Sequence, residues 1–252
     1  MKNLFLTLLI FFLTSINTFA LDKLDSQKEK NLSEIASEIN SIQDDEQKVK
    51  EWAKTLSEKY YIILNKKNCS AVIFNNEGIE IENFEVGIGK DIGDDFNDTY
   101  GLAGKPRNTT PAGEYKLITN IFNKSAYGDL TLSLGVKANK AKSTKKVVAM
   151  HKIPKFRIKE RDKKFYDGNL DNNRMSHGCI NFIEDDFNEL TKYINGGFTV
   201  YILPEEENNH LMLTENDNGK WEFIQTKYSY IKDEQKNSVD SADDFLETLL
   251  DN

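Results

Sequence analysis

Met175-Ser176-His177-Gly178-Cys179-Ile180-Asn181 sets a hydroxyl, an imidazole, a glycine and a thiol in four consecutive positions. The chain has 252 residues but only 3 histidines and 2 cysteines, so a stretch that uses one of each asks for a chemical reason. A buried turn, a metal site and nucleophilic catalysis are the three candidates. A thiol attacks only as the thiolate. Free cysteine ionises near ~8.5, and a neighbouring imidazolium or exposed N–H groups bring that to roughly 3.5–7.5. Two imidazoles are available. His177 lies two positions before Cys179, and in an extended segment both side chains leave one face. His151 ends "KKVVAMH", which reads as a short buried strand. Gly178 removes the side chain beside the thiol, so its peptide and the Cys179 N–H can approach an oxyanion. One such donor is worth about 3–4 kcal/mol in a comparable acyl-transfer site. Ser176 can orient a histidine through its hydroxyl. Asn181 can tie the turn down by side-chain to backbone bonds. Arg174 can clamp a substrate carboxylate with its planar fork. Zinc on His151, His177 and Cys179 would need His210 or a carboxylate as fourth ligand, and none stands at a characteristic spacing. No metal or organic cofactor is expected.

Outward from this stretch, the charge is uneven. From Lys137 to Arg174 there are 13 Lys/Arg and 4 Asp/Glu, while Glu205 to Asn252 holds 4 Lys and 13 Asp/Glu. A lysine-rich run is ordinarily a solvated loop. Here it runs straight into the motif, which also fits a cationic approach surface for a substrate bearing carboxylates. The acidic end would then be a shield for that surface. The first twenty residues, "MKNLFLTLLIFFLTSINTFA", have one early lysine, an apolar run from Leu4 to Leu13 and a small-residue ending, the pattern of a secretory signal peptide. The run is short for a bilayer span, and no cysteine follows it to carry a lipid. The expectation is cleavage after Ala20, export to the periplasm or cell envelope, and no stable membrane span afterwards. Loss of Lys2 leaves 32 basic against 41 acidic side chains, a balance that argues against nucleic-acid binding. Two cysteines make no disulfide scaffold. Cys69, in "NKKNCSAVIFN", reads as a small buried side chain at a turn entering a strand.

Periodicity divides the chain further. Residues 21–58 form a helical segment: Leu32, Ile35, Ile39 and Ile42, then Val49, Trp52 and Leu56, recur at helical spacing. "QDDEQ" separates two helices, with Asp44 or Asp45 as cap. These stripes pack on the main domain. "YYIILN", "CSAVIFN" and "IEIENFEVGIG" read as an antiparallel meander. "KDIGDDFNDTYGLAGKPRNTTPAG" is a long loop without the ligand spacing of a calcium loop. "GEYKLITNIF" and "GGFTVYILP" read as strands and "EDDFNELTKYIN" as a helix. The acidic extension, residues 205–252, reads as a hairpin about Asn218-Gly219 and a closing helix in "SADDFLETLL".

"SHGCIN" resembles the signature of the YkuD-type L,D-transpeptidases: an upstream histidine, then Ser/Thr-His-Gly-Cys, an apolar residue and Asn or Arg. "TTPAGEY" at 109–115 resembles that family's Thr-Pro-x-Gly-aromatic turn, and the resemblance covers residues 59–204. It implies an α+β, mainly β chain: a YkuD-like β-sandwich catalytic domain flanked by N- and C-terminal helical segments. It also implies an exported enzyme acting on peptidoglycan stem peptides through a Cys179 thioester. His151 would activate the thiol, His177 and Ser176 would support it, and Gly178 with the Cys179 amide would line the oxyanion pocket. The acceptor would be an amine of a second stem, water, or the amine of a protein. A binding module without chemistry is the alternative class. One departure stands out: 24 residues separate His151 from Ser176, more than the common family pattern. The extra length either forms an ordered lid carrying Arg157, Arg161 and Arg174 toward substrate, or marks His177 rather than His151 as the base.

Overall fold

The computed structural model describes residues 32–95, 99–100, 105–106, 108–120, 131–139, 144–194 and 198–227. The expected leader and the expected closing helix lie outside the described residues, as does part of the long loop.

Helix α1 (32–41) is followed by α2 (Asp45–Ala53), and Asp44 caps α2 by accepting the Gln47 N–H at 2.7 Å. The meander follows as β1 (Tyr60–Asn65), β2 (Ser70–Asn75) and β3 (Glu80–Glu85), then a short β4 (Ile88–Gly89). Within the long loop β5 (Thr99–Tyr100) pairs with β6 (Lys105–Pro106). "GEYKLITNIF" forms two strands rather than one. β7 (Gly113–Lys116) and β8 (Ile118–Asn120) join different sheets, with the Leu117 N–H spent on Phe198 O at 3.0 Å. β9 (Thr131–Asn139) was not foreseen; its buried Leu132 and Leu134 alternate with polar residues that dilute the apolar signal. β10 (Thr144–Lys152) carries the expected His151 as its penultimate residue. After α3 (Ile158–Arg161) come β11 (Arg174–Ser176), β12 (Ile180–Phe182), α4 (Glu184–Thr191) and β13 (Thr199–Ile202). β14 (Asn209–Glu215) and β15 (Trp221–Lys227) form the expected hairpin, with Gly219 at φ +70° in its turn.

Two sheets face each other, one in the order β3-β2-β1-β13-β7 and the other β12-β10-β9-β8. In β1, Ile62 and Leu64 point to the core shared with the second sheet, among Leu132, Met150, Ile180 and Phe182. Tyr61 and Ile63 point the other way, to a second core with Ile39, Val49, Trp52, Leu211 and Phe223. Strand alternation makes this division inevitable, and burial on both faces explains why β1 reads as a continuous apolar run. The fold is thus mainly β, a two-sheet sandwich with helices outside. The outer face of the larger sheet is covered jointly by α1, α2 and the β14–β15 hairpin. No helix among the described residues is long and apolar enough to cross a membrane.

Candidate active site

The parallel pairing of β10 with β12 builds the site. Met150 lies opposite Ile180 and His151 opposite Asn181, so a histidine 28 positions upstream arrives beside the cysteine turn. A cleft of 120 Å³ is lined by His151, Cys179, Ser176, Asn181, Arg161 and Phe156, with His177, Arg157 and Pro154 completing its wall. The two histidines differ sharply. His151 is 2 % exposed and its Nδ1 sits 2.6 Å from Lys152 O. A carbonyl only accepts, so Nδ1 carries the proton and Nε2 holds the lone pair. Burial holds the His151 pKa below the ordinary histidine value; the Lys152 carbonyl opposes this and the Arg161 charge adds to it. His177 is exposed at the rim of the same cleft.

The Ser176–Cys179 turn closes on itself. Gly178 N–H donates to Ser176 Oγ at 3.0 Å, and Ser176 Oγ donates to Cys179 O at 2.5 Å. The serine hydroxyl therefore holds the turn and not a histidine, which corrects the sequence reading. It also spends the Gly178 amide, so of the two expected oxyanion donors the Cys179 N–H is the candidate. Glycine is required at 178 because φ is +116° and a Cβ there would lie 2.6 Å from Thr109 O. Thr110 Oγ1 donates to Gly178 O at 3.1 Å and accepts the Gly89 N–H at 2.8 Å. The 109–115 motif thus grips the cysteine turn from outside. Thr109 and Thr110 were not singled out by sequence as site residues, although their motif was recognised. Asn181 is fully buried and donates to Cys179 O at 3.4 Å.

The segment between His151 and Ser176 is ordered. Short 3-10 turns at Lys155–Arg157, Asp162–Lys164 and Leu170–Asn173 surround α3. Tyr166 Oη donates to Asp186 at 2.6 Å, and Glu85 accepts the Tyr166 N–H and Asn173 Nδ2, each at 2.7 Å. Its three arginines part company. Arg161 donates to Asn181 Oδ1 at 2.7 Å inside the cleft. Arg157 lines the cleft while pairing with Glu160 at 2.7 Å. Arg174 is turned away, paired with the buried Glu205 carboxylate. The carboxylate Arg174 clamps is the chain's own, so it is not available as the expected substrate clamp.

Cys69 and Cys179 are both free thiols. Burial pushes the Cys179 thiol up, against the pull of a hydrogen bond from the Ala149 backbone and of the Arg161 charge. Burial therefore disfavours both charged forms, thiolate and imidazolium, in the resting cleft. That arrangement suits proton transfer during attack. Among the described residues no three His, Cys, Asp or Glu side chains converge as a metal site.

Comparison with known proteins gives one family match: the model of the L,D-transpeptidase catalytic domain, YkuD, fits residues 59–202. A search of curated proteins found no match. Among solved structures, Bd1075 of Bdellovibrio bacteriovorus is 21 % identical, with 59 % of this chain and 48 % of that one covered and a TM-score of 0.39. The helical cell shape determining protein Pgp2 of Campylobacter jejuni is 14 % identical, with 63 % and 56 % covered and a TM-score of 0.38. An L,D-transpeptidase from Mycobacterium smegmatis is 14 % identical, with 57 % and 58 % covered and a TM-score of 0.33. The chain spans roughly half the length of these structures.

Proposed function

The chain belongs to the YkuD family of L,D-transpeptidase catalytic domains, and from that premise we propose that it is a cell-envelope acyltransferase acting on peptidoglycan tetrapeptide stems through a Cys179 thioester. The observation that carries this reading is the shared cleft: Cys179 and the buried His151 line it together, and the tautomer of His151 leaves Nε2 able to accept a proton. As Cys179 Sγ attacks the carbonyl of the third stem residue, Nε2 takes the thiol proton. The C–N bond to the terminal D-alanine then breaks, and the imidazolium returns the proton to the departing amine. The thioester is resolved by the side-chain amine of a second stem. That amine loses a proton to His151, the new amide forms, and the sulfur leaves and is reprotonated, giving a 3→3 cross-link. The Cys179 N–H faces the developing oxyanion. Arg161 and Arg157, with Asn181 behind Arg161, receive the substrate carboxylates. The N-terminal leader exports the enzyme to the periplasm or cell envelope.

Water in place of the acceptor amine would make the same thioester chemistry an L,D-carboxypeptidase, and a protein amine would make it a protein-attachment reaction. Incubation of the purified protein with sacculi followed by muropeptide analysis separates these: 3→3 dimers are expected, and tripeptides alone would assign the hydrolytic outcome. No change in muropeptides, with no carbapenem adduct on Cys179, would discard the enzyme reading in favour of a binding module.

A further inference from the structure

Lys66 follows β1 at the turn into β2 and is 1 % exposed, with its side chain wholly out of water. An ammonium so placed persists only if every proton finds a partner. Nζ donates to Gly93 O at 2.9 Å, to Thr110 O at 2.9 Å and to the Asp94 carboxylate, which uses its three protons. Glu205 Oε1 stands 3.8 Å away while its Oε2 pairs with Arg174, so two cations and two carboxylates balance in one buried cluster. Burial pushes the Asp94 carboxyl up, but the Lys66 charge and hydrogen bonds from Lys66, Asn209 and the Glu205 backbone more than offset it.

Charge balance needs Lys66 to meet Asp94. The bond to Thr110 O satisfies a further ammonium proton, and that bond reaches the site. Thr110 is the residue whose hydroxyl holds Gly178 O and Gly89 N–H. The main chain there has no slack, since a Cβ on Gly89 would lie 2.2 Å from Asn108 O and one on Gly178 2.6 Å from Thr109 O. The cluster's other arm, Glu205 to Arg174, fixes the first residue of β11, whose last residue is Ser176. Both flanks of the cysteine turn are thereby fastened to one buried group carried by the larger sheet.

We propose that Lys66 is a positioning residue for the transfer reaction: through Thr110 it sets the place of the Gly178 peptide, and so of Cys179 and its amide. This rests on the reaction assigned above. Placement within an ångström governs such attack, and a 1 Å error can cost about 10²-fold.

The test uses the full chain, with kcat and KM for D-alanine release from a disaccharide-tetrapeptide and the iodoacetamide alkylation rate of Cys179, both per folded molecule below each variant's Tm. Lys66→Met should lower kcat by at least about tenfold while KM changes less than about threefold. Cys179, freed from its buried turn, should meanwhile alkylate at least about threefold faster. Thr110→Val should do the same and Thr110→Ser should stay within about twofold of the parent, because only the hydroxyl matters. Lys66→Met/Thr110→Val should fall no further than the worse single variant, since one path is broken twice. If Lys66→Met fails to fold, Lys66→Met/Asp94→Asn, which removes both buried charges, replaces it. Parental kcat and alkylation in a folded Lys66 variant would overturn the proposal and leave Lys66 a purely structural residue; additive losses in the double variant would overturn the route through Thr110. If the parent protein itself releases no D-alanine, the assigned reaction fails separately. The alkylation rates then decide the positioning alone, with faster labelling sustaining it and equal labelling overturning it.

Discussion

Cys69 and Cys179 sit in two turns of one fold, both in reach of an arginine's field, and burial raises both thiols. What differs is the polarity of the groups around them. Cys69 Sγ faces two carbonyls, Lys66 O and Leu170 O, each at 3.6 Å. Carbonyls accept from S–H and repel S⁻. Burial, with the Glu205, Glu85 and Asp171 charges outweighing the pull of Arg174, pushes that thiol up to about 11. Cys179 meets the opposite polarity: a donor from the Ala149 backbone, the Arg161 guanidinium and a cleft shared with a buried imidazole. Burial alone does not distinguish a structural thiol from a reactive one; the sign of the surrounding dipoles does.

The sharpest way to break this comparison is to delete each sulfur. Cys179→Ala should cut D-alanine release by roughly 10⁴-fold or more, whereas Cys69→Ala should leave kcat near the parent value and cost about 1 kcal/mol of stability, read by substrate turnover and urea melts. Exchanging the imidazoles comes next. His151→Asn should lower kcat by about 10²–10⁴-fold, while His177→Ala, at an exposed rim position, should cost less than about tenfold, and a reversed order would make His177 the base. Gly178→Ala forces a side chain onto Thr109 O at positive φ and should cost about 1–3 kcal/mol in thermal unfolding, with loss of activity in what remains folded.

The smallest effect is electrostatic. Arg161→Met removes a cation that lowers the Cys179 pKa, so the pH profile of Cys179 alkylation should move to higher pH while that of Cys69 stays put. The parent protein has its own expected pH signature. A His151 pKa held down by burial keeps the imidazole unprotonated to lower pH, so the acid limb of kcat/KM should fall below about 6.5, the ordinary histidine value. Arg161 also lowers His151, so in Arg161→Met that limb should move up. A profile that does not move in either measurement would remove Arg161 from the site's electrostatics.

Much of this was legible in the residues. The two N-terminal helices, the Asp44 cap, the meander, the Asn218-Gly219 hairpin and the strand carrying His151 follow from patterns that span a few positions. β9 escaped because serine, glycine and lysine interrupt its leucines, valine and alanine. The +9 and −9 segments suggested a basic rim shielded by the whole of 205–252, yet Leu211, Leu213 and Phe223 bury the hairpin of that extension in the outer core.

The sequence by itself determined the cysteine turn, its glycine and the family, because these depend on neighbouring residues and on backbone sterics that act over one or two peptides. Only the tertiary structure decided that Ser176 serves the turn, that Arg161 enters the cleft while Arg174 closes on Glu205, that Lys66 is buried, and that burial raises the Cys179 thiol. Each of those outcomes depends on desolvation and on partners contributed by distant parts of the chain. Lys66 and Thr110, 44 positions apart, meet only once β1 and β7 have joined one sheet on either side of β13.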